Sequence, residues 1–246
     1  MKVGFLEHLK QFIYIHFYRN SHSKSFFKSL YKRMFERHKV NGRNILFREN
    51  AISVLKAFTD CMDKNDVKYT LAFGSLLGAV REKGFIKHDL DIDVAIWYNG
   101  REGFIQSYLE REGFRRIHCF TVDDSLSARE DTFEKDGVTI DIFYLYEAVD
   151  RLPYCCDFVK FPDTVDWTMS IYKHGGLLPR RIELPWDKER VRTPFESLSL
   201  FIPRNAHEIL RMRYGEDYMI PNPNWVNRLD HPYIVNWDDK IAIYTE

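Results

Sequence analysis

The 246-residue sequence lacks a net charge, a cysteine pattern and any long apolar run, and each absence removes a class of protein. Lys plus Arg and Asp plus Glu both number 36, so nucleic acid is not an expected partner. The four cysteines, Cys61, Cys119, Cys155 and Cys156, form no CxxC pair, no metal-ligand spacing and no disulfide framework. That usage implies a reducing compartment, and the expected location is cytoplasmic. The apolar stretch from Phe12 to Tyr18 is seven residues long and contains His16. Crossing a bilayer takes roughly 20 apolar residues, so no transmembrane helix is expected, and no secretory signal stands out. Internal repeats and low-complexity tracts are missing as well.

What is present is unevenly spread. Residues 1–48 hold eleven Lys/Arg against Glu7 and Glu36, a net +9, so the remainder carries −9. Phe5, Leu6, Leu9, Phe12 and Ile13 follow helical spacing over residues 3–18. Phe26, Phe27, Leu30, Met34 and Phe35 do so over residues 24–38, interleaved with Lys28, Lys32, Arg33 and Arg37. Basic residues opposite large apolar ones suit the inner face of an anionic membrane and suit docking on the protein's own core equally well. Asn41–Gly42 reads as a break. The expected organisation is a basic helical extension over 1–44 and a catalytic domain over 45–246. Aromatics at 15% are high, and serve either a Phe/Tyr-rich core or a sugar or base pocket.

Within the body, Ile45 to Met62 reads as a helix ended by Asn65–Asp66. Val67 to Phe73 reads as a strand, Gly74–Ser75 as a turn, and Leu76 to Arg81 as a short helix. Asp91 to Trp97 is a strand, Arg101 to Arg111 a helix and Phe114 to Phe120 a strand. Leu126 to Lys135 and Val138 to Tyr146 form a hairpin about Asp136–Gly137. The last hundred residues carry all nine prolines and read as irregular structure with short strands and one helix, Ala206 to Tyr214. Strands and helices in this mixture predict an α/β or α+β domain, a mixed sheet flanked by helices.

Three features bear on chemistry. Phe73-Gly74-Ser75-Leu76-Leu77-Gly78 follows a strand and opens a helix, where glycine lets the backbone approach a phosphate and free N–H groups attract anions. Alone, it reads more readily as a plain structural turn. In His88-Asp89-Leu90-Asp91-Ile92-Asp93-Val94, strand alternation puts Asp91 and Asp93 on one face about 7 Å apart. Two carboxylates so placed repel unless a cation lies between them, and Mg²⁺ takes a few carboxylates with substrate phosphates completing its shell. The alternative, an exposed acidic strand start, is weakened because Asp is disfavoured in strands. Asp141 interrupts the apolar strand Val138-Thr139-Ile140-Asp141-Ile142-Phe143. It faces solvent, or joins the other acids if its strand lies beside theirs.

Together these features resemble the nucleotidyltransferase superfamily. The segment Gly74 through Asp93 is similar to the signature of the LicD family, which includes fukutin and fukutin-related protein. Thr193-Pro194-Phe195-Glu196, Ile202-Pro203, Glu208-Ile209-Leu210 and Tyr214-Gly215-Glu216-Asp217-Tyr218 resemble the family's closing segment. The match runs in pieces from about Phe47 to Pro221, and Lys87-His88 stands where the family usually has Pro-Trp. The resemblance implies transfer of a phosphorylated alcohol (phosphocholine, ribitol phosphate or glycerol phosphate) from a CDP-linked donor to a glycan or lipid-linked glycan, releasing CMP. It implies Mg²⁺, with Mn²⁺ as a substitute, held by Asp91, Asp93 and Asp141. Asp141 is also the candidate proton acceptor. Gly74 and Ser75 would anchor the diphosphate, with Arg81 and Lys83 adding positive charge or lying solvated. Transfer of a nucleoside monophosphate, and a non-catalytic membrane- or glycan-docking role, are the alternatives.

Overall fold

A computed structural model describes residues 37–87, 89–222 and 231–246, with side chains described from residue 44 onward. The helix expected over 3–18, nearly all of that over 24–38, and the membrane-facing role of residues 1–44 lie outside the described residues. The chain divides into two units, Met1–Ile45 and Leu46–Glu246, and apart from the start of the first helix everything that follows lies in the second.

Helix α1 runs from Arg37 to Lys64. Asn41–Gly42, expected as a break, lies inside it, since one glycine in a helix costs only about 1 kcal/mol relative to alanine. Phe47, Ala51, Val54, Leu55, Phe58 and Met62 recur at helical spacing and are all buried. Asn65 closes the helix by donating from Nδ2 to the Cys61 carbonyl at 2.8 Å, and Asp66 turns away with φ 52°.

The elements that follow are β1 (Thr70–Leu71), α2 (Phe73–Arg81), β2 (Asp91–Trp97), α3 (Glu102–Arg111), β3 (Arg115–Val122), β4 (Ala128–Lys135) and β5 (Val138–Leu145). After them come β6 (Tyr154–Val159), α4 (Trp167–His174), β7 (Leu178–Glu183), β8 (Arg190–Phe195), β9 (Leu198–Pro203), α5 (Ala206–Tyr214), β10 (Ile234–Asn236) and β11 (Ile243–Thr245). The central sheet has the order β1-β2-β5-β4-β3-β11. Its β2–β5 pair is parallel and its other pairs are antiparallel, so the sheet is mixed, as expected. A three-stranded sheet, β10-β7-β6, and the β8–β9 hairpin complete the strands.

Two expectations fail locally. The strand expected over Val67 to Phe73 shrinks to Thr70–Leu71, because Phe73 adopts φ 39° and already opens α2. The Gly74–Ser75 turn is therefore the first turn of that helix. Helix α4, which sequence reasoning missed, has both terminal signals: the Asp166 side chain accepts from Met169 N–H, and Gly175 caps it with φ 80°.

The hairpin turn fixes the register that matters. Asp136 and Gly137 have φ 52° and 78°, the left-handed pair of a two-residue turn whose twist matches the flanking strands. Lys135 then faces Val138, and counting back places Thr132 opposite Asp141. Ile92, Val94, Ile140 and Ile142 point to one face of the sheet and are fully buried. Gln106 of α3 accepts from Arg116 at 2.9 Å on that face. Asp131 is there too, bonded twice by Arg129 (2.7 and 2.9 Å) and once by the Tyr144 hydroxyl (3.1 Å). The alternate residues, Asp91, Asp93, Thr139, Asp141, Phe143, Thr132 and His118, point to the other face.

Candidate active site

On this second face the parallel pairing sets Asp93 directly beside Asp141 and Asp91 beside Thr139. Asp91 is two residues from Asp93 and shares its face. The three acids proposed from sequence are therefore gathered on neighbouring strands, each half-buried.

The segment before β2 clamps Asp93. Its carbonyl accepts from Ala72 N–H at 3.0 Å, its N–H donates to Ser75 Oγ at 2.9 Å, and its Oδ2 accepts from Gly74 N–H at 3.0 Å. Ser75 is 1% exposed. Both residues expected to face a diphosphate thus spend these groups on the acid. Glycine at 74 answers to crowding: a Cβ there would lie 3.3 Å from Asp93 Oδ2 and 3.6 Å from Asp89 Oδ1. At Gly78 a Cβ would fall 2.4 Å from the Gly84 carbonyl, so only glycine lets α2 approach the following loop. Arg81 bonds Glu82 and the Tyr218 carbonyl, and Lys83 bonds the Val80 carbonyl, so both have local partners.

Neighbouring carboxylates weigh on one another here. Asp93 is held well above the usual carboxylate range, first by burial and then by Asp91 and Asp141. Asp89 is pushed up to about 6, again first by burial, with Ile86 N–H opposing and Asp91 adding to the shift. Among the described residues no group of three or more His, Cys, Asp and Glu side chains is arranged to hold a metal ion by itself. An open group of hard oxygen donors nonetheless fits Mg²⁺, which usually keeps waters and takes one or two carboxylates plus substrate phosphates. Crowded carboxylates that raise one another's pKa are the arrangement a divalent cation would relieve.

Sequence reasoning missed three residues of this face. Thr132, 4% exposed, donates its hydroxyl to Asp141 Oδ1 at 2.6 Å. His118 Nε2 lies 3.0 Å from the same hydroxyl. Glu130, two residues from Thr132, is raised well above its usual range by burial, then by Asp141 and Asp157. The hairpin register would have found Thr132 and Glu130 by counting. The β-bulge between Arg116 and His118 hides His118 from any such count.

The two sequence motifs meet in space. Glu196 N–H donates to the Lys83 carbonyl at 2.6 Å, and the Arg213 guanidinium sits 5.5 Å above the Phe73 ring. The phenol of Tyr214, at the end of α5, is pushed up by burial, with Arg213 opposing and Asp93 and Asp89 adding to the shift. Phe73 is held in its left-handed conformation by edge contacts to Phe143 (4.7 Å) and Trp186 (5.9 Å). Such strain persists only where packing over-determines it, and here it delivers Gly74 to Asp93.

Comparison with known proteins finds a family and several relatives. The family described as LicD/FKTN/FKRP, nucleotidyltransferase domain, matches residues 66–205, which include Gly74, Asp91, Asp93, Thr132 and Asp141. The chain is 25% identical over 215 residues to the ribitol-5-phosphate transferase FKTN of Homo sapiens, covering 81% of this chain and 41% of that protein. The Mus musculus protein of the same name gives the same identity and coverage. An uncharacterized protein, RP689, of Rickettsia prowazekii (strain Madrid E) is 32% identical over 63 residues, 26% of this chain and 23% of its own length. The chain thus spans less than half the length of the transferases it matches.

Proposed function

The chain belongs to the LicD/FKTN/FKRP nucleotidyltransferase-domain family, and from that premise we propose that it transfers a phosphorylated alcohol from a CDP-linked donor to a glycan, releasing CMP. Ribitol phosphate is the first group to test, because the similar curated proteins are named as ribitol-5-phosphate transferases. The fold proposed for the domain is the nucleotidyltransferase type.

The observation that carries this reading is the register that sets Asp93 beside Asp141 with Asp91 on the same face. These three acids would hold Mg²⁺ or Mn²⁺. Bound there, the cation would neutralise charge on the donor's phosphates and on the departing CMP. The protein's own part is positional. Gly74, Ser75 and Ala72 fix Asp93, and the β4–β5 register fixes Asp141. An acceptor hydroxyl attacks the phosphorus of the alcohol phosphate and the bond from that phosphorus to the CMP oxygen breaks. The proton of the hydroxyl passes to the Asp141 carboxylate.

The test is CMP release from CDP-ribitol, CDP-choline and CDP-glycerol with acceptor glycan and Mg²⁺. Asp91→Ala should lower it by about 10³-fold, the scale on which a key electrostatic group acts. Release unchanged in Asp91→Ala removes this site as the catalyst. A product heavier by a nucleotide instead of by an alcohol phosphate moves the protein to nucleotidyl transfer.

A further inference from the structure

Thr132 has one hydroxyl hydrogen and two polar neighbours. The 2.6 Å contact to Asp141 Oδ1 is short enough to be charge-assisted, so the hydrogen goes to the carboxylate. The 3.0 Å contact to His118 Nε2 must then be a bond in which the imidazole donates. That requirement selects the tautomer with hydrogen on Nε2. Burial lowers the His118 pKa against the pull of Asp131, which keeps the ring neutral, so it donates without adding a cation beside Asp141. The ring is walled by Phe120 at 5.0 Å and by Trp167 and Tyr244, both at 6.2 Å between centroids. A phenylalanine would fill that space. An imidazole there is explained by the bond it makes.

We propose that Thr132 and His118 are positioning residues, a two-link hydrogen-bond chain that sets the orientation of the Asp141 carboxylate for divalent-cation binding. The inference rests on the reading of Asp141 as part of a cation site. Threonine 132 touches the acid directly and His118 acts through it, so the effects should fall off in that order. Partners of this kind, one bond behind a metal ligand, typically change affinity by about 10- to 100-fold when removed. Thr132 lies on β4 between β3 and β5, opposite both His118 and Asp141, so strand pairing brings the three residues into line.

Calorimetric titration of the full chain with Mn²⁺ alone tests this without any turnover. Thr132→Val keeps the shape and removes the hydroxyl, and should weaken Mn²⁺ binding by about 10- to 100-fold. Thr132→Ser keeps the hydroxyl and loses a methyl group, and should stay within about 3-fold of the parent. His118→Phe should fall between them, and it carries the same test should Thr132→Val fail to fold. In the transfer assay the Val variant should lower kcat with little change in KM for the glycan, as expected for a group that does not touch the acceptor. Equal Mn²⁺ affinity in the parent, Thr132→Val and His118→Phe overturns the positioning role alone. Serine as damaging as valine also overturns it, because the loss would then lie in packing. A parent chain that binds no Mn²⁺ takes down this inference and the cation site together.

Discussion

Asp131 and Asp93 lie on the same sheet and face opposite ways, and the protein treats their charges in opposite manners. Asp131 is fully buried, and its charge is answered inside the chain by the two-pronged Arg129 and the Tyr144 hydroxyl. The neighbours that weigh most on Asp93 are Asp91 and Asp141, and they push its pKa up. One face holds an acid as a structural part with its counter-charge built in. The other holds Asp93, whose charged form burial and two neighbouring carboxylates disfavour. That asymmetry separates an acid kept for stability from acids kept for a ligand, since a cation supplied from outside would complete the second face only.

The sharpest way to break this comparison is to neutralise one acid on each face. Asp93→Asn keeps an oxygen for Gly74 N–H and removes a repelling charge. It should cut transfer by about 10³-fold or more while leaving the cation-free protein as stable as the parent or more so. Asp131→Asn strands the buried Arg129 guanidinium, and breaking a buried pair in this way costs about 3–5 kcal/mol, read as a lower denaturant midpoint. Should Asp93→Asn lose as much stability as Asp131→Asn, the two faces are not different in kind.

The sequence showed one of these faces far better than the other. The alternation in Asp91-Ile92-Asp93 and the Asp136–Gly137 turn were enough to place the acids, because strand period and hairpin register are local rules. Arg129 and Asp131 also sit two apart on β4 and so share a face by the same rule. Ile92, Val94, Ile140 and Ile142 mark this face as core on the neighbouring strands, but β4 carries no apolar stripe of its own, so the burial of Asp131 is not legible there. Val67–Phe73 misled because its apolar residues suit a strand, whereas the hydrogen bonds to Asp93 and the packing of Phe73 turn the chain into α2. Helix α4 was hidden for the reverse reason. Trp167, Met169 and Tyr172 are exposed, so its large residues do not mark a core-facing stripe, although its caps were readable. Prolines in the last hundred residues suggested irregular chain, yet Pro179 lies near the start of β7 and Pro203 ends β9, where a missing N–H costs least.

A smaller effect should appear in the pH dependence of stability. Asp89 has a folded pKa of about 6, above its ordinary value near 4, and Asp93 is displaced the same way. Between those values the folded state holds more protons than the unfolded one, so stability falls as pH rises through 6. Cation-free protein should therefore melt at a lower temperature at pH 7 than at pH 5. Added Mg²⁺ should recover more of the melting temperature at pH 7 than at pH 5, because the carboxylates it would meet are then ionised. A Mg²⁺ increment that is equal at the two pH values, measured by differential scanning fluorimetry, would place the cation away from these acids.

The smallest effect is the control that gives the others meaning. Asp60 on α1 is an acid of a third kind: its side chain is 64% exposed and paired with Lys56 one helical turn away. Exposed pairs of this sort contribute about 0.3–0.5 kcal/mol. Asp60→Asn should therefore move the denaturant midpoint barely beyond error and leave CMP release and Mn²⁺ affinity unchanged. A larger loss would mean that the domain responds to removal of any carboxylate, and the contrast between Asp93 and Asp131 would then report general fragility. A null result at Asp60, beside lost activity at Asp93 and lost stability at Asp131, leaves the direction each acid faces as the variable that decides its role.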